Sequence, residues 1–146
     1  MKYLFALVIS LFTVAAHSQT PTCIPFRIES GHIIVQVKVN GHGPYPMLLD
    51  TGAEVSTIDS SIASKASIKL LSPIGFHGIG GGDSTGNMAR ADLALKDNVV
   101  ASLPVVVYPL NRDKDGWVGV LGYNFLSHFN LAIDNERSCV TLQMIQ

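Results

Sequence analysis

Short apolar segments with polar residues at alternate positions recur along the chain. Val35, Val37 and Val39 occupy every second position of one such segment, and Gln36 and Lys38 lie between them. Successive side chains of a strand point to opposite faces of a sheet. The alternation therefore predicts a half-buried β-strand.

Turn-forming residues separate this strand from the next apolar segments. The sequence Asn40-Gly41-His42-Gly43-Pro44 favours a hairpin. Asp59, Ser60 or Ser61 can cap a short helix that runs to about Ala66, and a second short helix is predicted from Tyr123 to His128. The pattern predicts an all-β fold with one or two short helices. The predicted strands are 33–39, 45–49, 55–58, 68–77, 85–95, 103–108, 130–133 and 138–144.

The N-terminus has the pattern of a secretory signal peptide. Met1-Lys2 gives a positive start, residues 3–16 are apolar, and Ala16-His17-Ser18 places small residues where a signal peptidase reads. We expect a signal peptide at 1–18 and a mature domain at 19–146. A membrane anchor is disfavoured, since the run is well short of the roughly 20 residues that span a bilayer. The chain is expected to be exported, periplasmic or secreted, with no membrane span after cleavage.

Composition limits the classes of function. The chain has 146 residues, 47% of them hydrophobic and 14% charged, which is typical of one packed domain. Ten basic residues stand against eleven acidic ones. A protein that neutralises phosphates needs a surplus of Lys and Arg, so we expect no nucleic-acid partner.

The two cysteines, Cys23 and Cys139, lie near opposite ends of the chain. In an oxidising compartment they can form one disulfide that closes almost the whole chain. The alternative is a pair of buried, unpaired thiols, because spacing in sequence does not show proximity in space.

Several kinds of catalytic site have no signature in the sequence. The histidines at 32, 42, 77 and 128 lack metal-ligand spacing, and there is no HExxH, CxxC, Walker A or GxSxG motif. Isolated histidines on strands and loops are usually surface or satisfied core groups. The sequence therefore predicts no metal site and no cofactor.

One segment places a carboxylate directly after apolar strand residues. Asp50-Thr51-Gly52-Ala53 follows Met47-Leu48-Leu49. Gly52 permits a sharp turn with close backbone approach, and Thr51 offers a hydroxyl for a hydrogen bond within the turn or across an interface. An aspartate that merely caps an ordinary turn is the alternative reading of this triplet.

Several segments, taken in order along the chain, resemble the retropepsin-like aspartic proteases. These are single-domain enzymes of the retroviral type, and the resemblance is to their exported bacterial members. The resemblance covers most of the mature chain. It rests on residues 48–53, the glycine-rich 78–82, Val120-Leu121-Gly122, the helix start at 122–126, and the closing segments 131–134 and 140–142.

The resemblance implies a closed acid-protease barrel with a flap hairpin. It implies that Asp50 is catalytic, that Thr51 buttresses its loop, and that Gly52 and Ala53 shape the loop. Two further sets of residues take roles by the same resemblance. Apolar support of the loop is assigned to Val120, Leu121 and Gly122, and the flap to Gly78, Ile79, Gly80, Gly81 and Gly82.

The chain departs from the family at Tyr123, where retroviral enzymes carry an arginine that supports the dimer. Aspartic proteases use two carboxylates that share one proton. Only Asp50 stands in an Asp-Thr-Gly triplet, because an extra residue interrupts Asp83-Ser84-Thr85-Gly86.

The function predicted from these residues is peptide hydrolysis by an Asp50 pair at a homodimer interface, with a peptide or protein substrate. The alternative is a catalytically inactive exported module of the same fold that binds a peptide or partner.

Overall fold

The computed structural model describes residues 22–77, 82–110 and 115–145. The predicted signal peptide at 1–18 lies outside them. The described residues contain eleven strands and two short helices, which confirms the predicted all-β class. In chain order the elements are β1 (Ile24–Pro25), β2 (Arg27–Glu29), β3 (His32–Val39), β4 (His42–Leu49), β5 (Thr57–Asp59), α1 (Ser60–Lys65), β6 (Leu70–His77), β7 (Asp83–Leu95), β8 (Asn98–Tyr108), β9 (Gly119–Leu121), α2 (Tyr123–Leu126), β10 (Phe129–Asp134) and β11 (Cys139–Met144).

Six of the strands close into a barrel. The main sheet has the order β2-β3-β4-β9-β5-β8-β7-β6, and β3 also pairs with β7, with Val37 opposite Leu95. That extra pairing joins β3, β4, β9, β5, β8 and β7 into a ring, as the predicted closed barrel requires.

The barrel is filled by apolar side chains from alternating positions. In β3 the predicted inward residues Val35, Val37 and Val39 are fully buried, whereas Gln36 and Lys38 are exposed. Burial of such side chains supplies the main driving force for closure of the ring. Other residues that are almost completely buried are Met47, Ile58, Leu93, Leu95, Val105, Leu121, Phe125 and Val140.

Two tight turns connect the first three strands of the main sheet. Asn40 and Gly41 have φ values of 48° and 78°. Because Val39 pairs with His42, Asn40 and Gly41 form a two-residue hairpin turn. Strand β4 therefore begins three residues earlier than the sequence pattern predicts. Ser30-Gly31 makes a similar turn and adds the short β2, which the sequence pattern did not predict.

A second, smaller sheet joins the two ends of the described chain. Strand β11 lies between β1 and β10 and pairs antiparallel with both. Cys23 and Cys139 form a disulfide beside β1, with their Cα atoms 5.5 Å apart, a separation suited to such a bond. Of the two alternatives that the sequence left open, the structure therefore contains the bridge, within one chain.

The two helices are short connections. Asp59 caps α1 by accepting a hydrogen bond from the N–H of Ser61 at 2.8 Å. Helix α2 starts after Gly122 and ends at Leu126, two residues before the predicted end. Among the described residues, no helix has the length and apolar character needed to cross a membrane.

Candidate active site

The Asp-Thr-Gly segment forms a turn at the end of strand β4. Leu49, the last residue of β4, is buried, and Asp50 is half-buried. The N–H of Asp50 donates to the carbonyl oxygen of Leu121 at 3.1 Å, which continues the parallel pairing of β4 with β9. Strand β9 therefore fixes the backbone up to the residue that carries the carboxylate.

The turn is held by the aspartate itself. Asp50 Oδ1 accepts a hydrogen bond from the N–H of Gly52 at 2.8 Å. A Cβ atom at position 52 would lie 3.2 Å from that oxygen, so glycine makes this short approach easy. Thr51 is exposed, and its hydroxyl makes no hydrogen bond to a described residue. Its role as a buttress stays a prediction.

The predicted support residues lie directly against this turn. Val120, Leu121 and Gly122 are all buried. The N–H of Tyr123 donates to the carbonyl oxygen of Ala53 at 2.7 Å. A Cβ atom at Gly122 would come within 2.8 Å of the same oxygen, which shows how closely the two segments pack.

A buried network of hydrogen bonds holds Ser56, which follows the turn in the sequence. This network was not predicted from the sequence. Asn124 Oδ1 accepts hydrogen bonds from the N–H and the hydroxyl of Ser56, at 2.9 and 2.8 Å. Asn124 Nδ2 donates to the carbonyl oxygen of Pro104, and Ser56 Oγ accepts from the N–H of Gly122. The only sign of this network in the sequence is the amide side chain of Asn124, directly before the apolar Phe125 in a predicted helix.

A cleft of about 710 Å³ opens beside Asp50. Apolar side chains from β6, β7, β8 and β9 and from the loops that follow Asp50 and β8 form most of its walls. The lining residues are Asp50, Gly52, Ala53, Glu54, Val55, Thr57, Ile74, Phe76, His77, Met88, Val106, Tyr108, Leu110, Trp117 and Val120. The aspartate is thus at the edge of a space large enough for several side chains of a peptide.

A second recess of about 350 Å³ also reaches Asp50. It is lined by Gly31 of the β2–β3 turn, the start of β3, the end of β4, and Trp117, which also lines the cleft. The two spaces share Asp50 and Trp117. Asp50 therefore borders both spaces.

In sequence, the predicted flap lies between β6 and β7, two strands whose residues line the cleft. Gly78, Ile79, Gly80 and Gly81 lie outside the described residues, and Gly82 is exposed. Strands β6 and β7 form a hairpin, and among the described residues its outermost pair is His77 with Asp83. His77 Nδ1 lies 2.7 Å from Asp83 Oδ1, and both side chains are exposed. Residues Ile74, Phe76 and Met88 of the hairpin face the cleft.

The charged residues of the cleft are mainly acidic. Asp50 and Glu54 line it together with His77. Asp59 does not line the cleft, but its Oδ2 accepts a hydrogen bond from the N–H of Leu110, a lining residue, at 2.9 Å. The described residues contain no group of three or more His, Cys, Asp or Glu that could hold a metal ion.

Comparisons with known proteins agree on one family. The sequence profile of the aspartyl protease family matches residues 35–125, more than half of the chain. A retropepsin-like aspartic protease from Rickettsia conorii has a similar structure, with a TM-score of 0.58 and 17% identity, over 84% of this chain and 90% of that one. The retroviral protease-like domain of Ddi1 from Leishmania major gives a TM-score of 0.50 and 12% identity, over 79% and 94%. No curated protein sequence matches significantly.

The profile match spans strand β4, the Asp-Thr-Gly turn, β9 and the start of α2, which are the elements that build the site. The structural matches show the same fold over most of the chain. The chain therefore belongs to the aspartyl protease family and has the retropepsin-like fold.

Proposed function

We propose that the protein is an aspartic endopeptidase that works as a homodimer, with Asp50 from each subunit. The observation that carries the proposal is the half-buried carboxylate of an Asp-Thr-Gly turn beside a cleft of about 710 Å³. The chain has one such triplet, and the family's chemistry uses two carboxylates. A second copy related by a two-fold axis would supply the other.

In the proposed reaction the two carboxylates have different protonation states. Asp50 of one subunit is ionised and takes a proton from water, whose oxygen attacks the scissile carbonyl carbon. The partner subunit's Asp50 is protonated and donates a hydrogen bond to the carbonyl oxygen. The tetrahedral oxyanion then reforms a carbonyl as the carbon–nitrogen bond breaks, and the amine leaves with the proton that the first Asp50 took from water, which returns both carboxyls to their starting states. Repulsion between two nearby negative charges explains why the pair shares one proton.

The walls of the cleft support an extended peptide as substrate. An extended chain presents alternate side chains to opposite walls, and its backbone can pair with neighbouring strands. Ile74 and Phe76 from the hairpin, and Val106 and Tyr108 from β8, offer apolar contact. We propose that residues 78–82 close over the bound peptide and that apolar side chains are preferred beside the cleaved bond.

We also propose that the mature protein is exported, to a periplasm or to the outside. The signal-peptide pattern at residues 1–18 supports this proposal. The disulfide between Cys23 and Cys139 supports it independently, because such bonds persist in oxidising compartments. Fractionation of cells that express the full chain, with N-terminal sequencing of the mature protein, tests both points.

Cleavage of an unfolded protein substrate between pH 3 and 7 tests the proposed activity. We expect Asp50→Asn to abolish cleavage while the circular dichroism spectrum is unchanged, because the amide keeps the shape and removes the proton chemistry. The matched control is Asp97→Asn at an exposed position of the β7–β8 turn, which should leave the activity unchanged.

The dependence of activity on enzyme concentration tests the proposed homodimer, and a chelator tests whether the reaction needs a metal ion. Specific activity should rise with concentration as dimers form, and a chelator should have no effect. Peptide binding without cleavage at any concentration would favour the inactive binding module. Equal activity of Asp50→Asn and the wild type would refute the proposed catalytic residue.

A further inference from the structure

Two hydrogen-bonded peptide groups hold the backbone of Trp117, one on each side of its Cα atom. The carbonyl oxygen of Gly116, in the peptide group before Trp117, accepts a hydrogen bond from Arg27 Nη2. The N–H of Val118, in the peptide group after it, donates to the carbonyl oxygen of Pro46 at 2.9 Å. Trp117 is therefore tied to β2 on one side and to β4 on the other.

The side chain of Arg27 is itself oriented by Glu29, which lies two positions further along β2. Arg27 Nε donates to Glu29 Oε1 at 2.7 Å, so one guanidinium binds a carboxylate and a backbone carbonyl at once. We call Arg27, Glu29 and the carbonyl of Gly116 the β2 clasp. The hydrogen bond from Arg27 holds the pKa of Glu29 below its ordinary value, so the carboxylate stays charged at lower pH than an ordinary glutamate.

Glycine at position 116 lets the loop before β9 approach this ion pair. Its φ is 73°, in the left-handed region that favours glycine. A Cβ atom at the same position would overlap the carboxylate of Glu29. A larger residue would therefore force the loop and β2 apart.

Trp117 is the residue that the β2 clasp places beside Asp50. It is 5% exposed and packs in a buried apolar cluster with Ile34, Leu48 and Val120. Among the described residues, Trp117 and Asp50 are the two that line both the cleft of about 710 Å³ and the recess of about 350 Å³. The position of the indole therefore sets the boundary between the two spaces beside the carboxylate.

We propose that Arg27 is a positioning residue for substrate choice: through Gly116 it fixes the indole of Trp117, and the indole limits the size of the side chain accepted next to the cleaved bond. This inference rests on the proposed function, because it concerns a peptide bound at Asp50.

The recess beside the indole takes an apolar side chain of that peptide, since Ile33, Leu48 and Leu49 form part of its wall. A small displacement of the indole changes the size of side chain that fits. One methylene group more or less in an apolar pocket changes kcat/KM by about 10- to 200-fold. A hydrogen bond on β2 can thus alter specificity although Arg27 does not line either space.

Tryptophan fluorescence tests the positioning without any measurement of activity, because Trp117 is the single tryptophan of the chain. Arg27→Lys keeps the charge but cannot reproduce the two bonds of the planar guanidinium. Acrylamide should quench its emission at least about twofold faster than that of the wild type, since a loosened indole opens to solvent more often. The matched control, Arg137→Lys at an exposed turn position, should be quenched like the wild type. Equal quenching of all three proteins would overturn the proposal.

The second readout is the choice between two peptides that differ only in the residue before the cleaved bond, alanine in one and phenylalanine in the other. Arg27→Lys should shift the ratio of their kcat/KM values about tenfold towards phenylalanine. Arg137→Lys should keep the wild-type ratio. A general loss of structure would lower both kcat/KM values by the same factor, so an unchanged ratio in an active Arg27→Lys enzyme would refute the positioning role.

Gly116→Ala tests the β2 clasp from the side of the loop. We expect the same changes in quenching and in the peptide ratio, because the added Cβ would overlap Glu29. Gly41 has a similar φ of 78°, but no atom lies within 4 Å of a Cβ built there. Gly41→Ala therefore introduces similar backbone strain without the contact, and it should keep both wild-type values. Identical behaviour of the two variants would show that contact with Glu29 does not position the indole. If Gly116→Ala does not fold, Arg27→Lys decides.

Failure of this inference is distinguishable from failure of the proposed function. An active wild type whose Arg27→Lys variant keeps the wild-type quenching and peptide ratio would refute the role of the β2 clasp and leave the proposed activity intact. A wild type that cleaves no peptide, although Arg27→Lys changes the quenching, would refute the proposed function and with it the role of the clasp in substrate choice.

Discussion

Asn124 Oδ1 lies 2.8 Å from the hydroxyl oxygen of Ser56, although 68 positions separate the two residues in the chain. The same side chain reaches Pro104 on β8, and Ser56 in turn accepts the N–H of Gly122. The Asn124 amide therefore joins the segment after the Asp-Thr-Gly turn to α2 and to the barrel wall. The geometry of the site depends on this residue, which does not line the cleft.

Replacement of Asn124 by alanine should destabilise the fold. The N–H and hydroxyl of Ser56 and the carbonyl of Pro104 would lose their partner, and a buried group left unsatisfied costs about 1–3 kcal/mol. We expect the free energy of unfolding to fall by about 2–4 kcal/mol in urea titrations. The control Asn135→Ala, in an exposed turn, should change it by less than about 0.5 kcal/mol.

Gly122→Ala should impair catalysis more than stability alone explains. The new Cβ would lie 2.8 Å from the carbonyl oxygen of Ala53 and 3.0 Å from the backbone nitrogen of Ser56, so the turn must shift. Displacements of about 1 Å at a reacting group can cost about 100-fold in rate. We expect kcat/KM to fall at least tenfold at temperatures where the variant stays folded.

The matched control for that variant is Gly75→Ala, because no atom lies within 4 Å of a Cβ built there. It should keep a folded barrel and more activity than Gly122→Ala. Equal activity of Gly122→Ala and the wild type would show that the turn tolerates displacement.

Loss of the disulfide should be costly. It closes a loop with a sequence separation of 116 residues, for which the chain-entropy description gives about 4–5 kcal/mol. The double variant with Cys23→Ser and Cys139→Ser should therefore unfold at a clearly lower urea concentration. Reduction of the wild type should give the same midpoint, and an unchanged midpoint in both would contradict the expected contribution.

The stability of the fold should depend on the ionisation of Asp59. Burial by itself raises the pKa of this carboxyl, but hydrogen bonds from Ser61 and Leu110, with the charge of Lys65, outweigh it and hold the pKa below its ordinary value. A carboxyl with a lower pKa in the folded state stabilises the fold at neutral pH. That contribution is lost as the pH falls through the folded-state pKa.

Asp59→Ala tests this dependence. We expect a loss of about 1–2 kcal/mol at pH 7, mainly from the missing helix cap. The difference from the wild type should shrink as denaturation is measured at pH values below about 4. The exposed control Asp97→Ala should show a small difference at pH 7, and a constant gap for Asp59→Ala at all pH values would exclude the ionic contribution.

Local patterns predicted the parts of the fold that depend on neighbouring residues. The alternation at Val35, Val37 and Val39 predicted a strand face that is fully buried in the structure. Asp59 was among the predicted caps of α1 and is the observed one. These features follow from side-chain period and hydrogen bonding over a few residues, which a sequence displays directly.

Long-range features could not be predicted in the same way. Strands β1 and β2 have only two and three residues, too few to show a period, and β1 exists because β11 lies beside it. Asn124 shows no sign of its partners at Ser56 and Pro104, because those contacts arise only when the barrel has closed. The position of β10 at an edge of the small sheet, among the described residues, is likewise a property of sheet order.

The parallel pairing of β4 with β9 also has a consequence for timing. The N–H of Asp50 finds its acceptor on Leu121, so the turn is fixed only after most of the chain has been synthesised. Contacts between distant parts of a sequence form late and slowly. A partly translated chain therefore carries the Asp-Thr-Gly sequence before Leu121 is present to hold its backbone, and the turn takes its final shape only when β9 has joined the sheet.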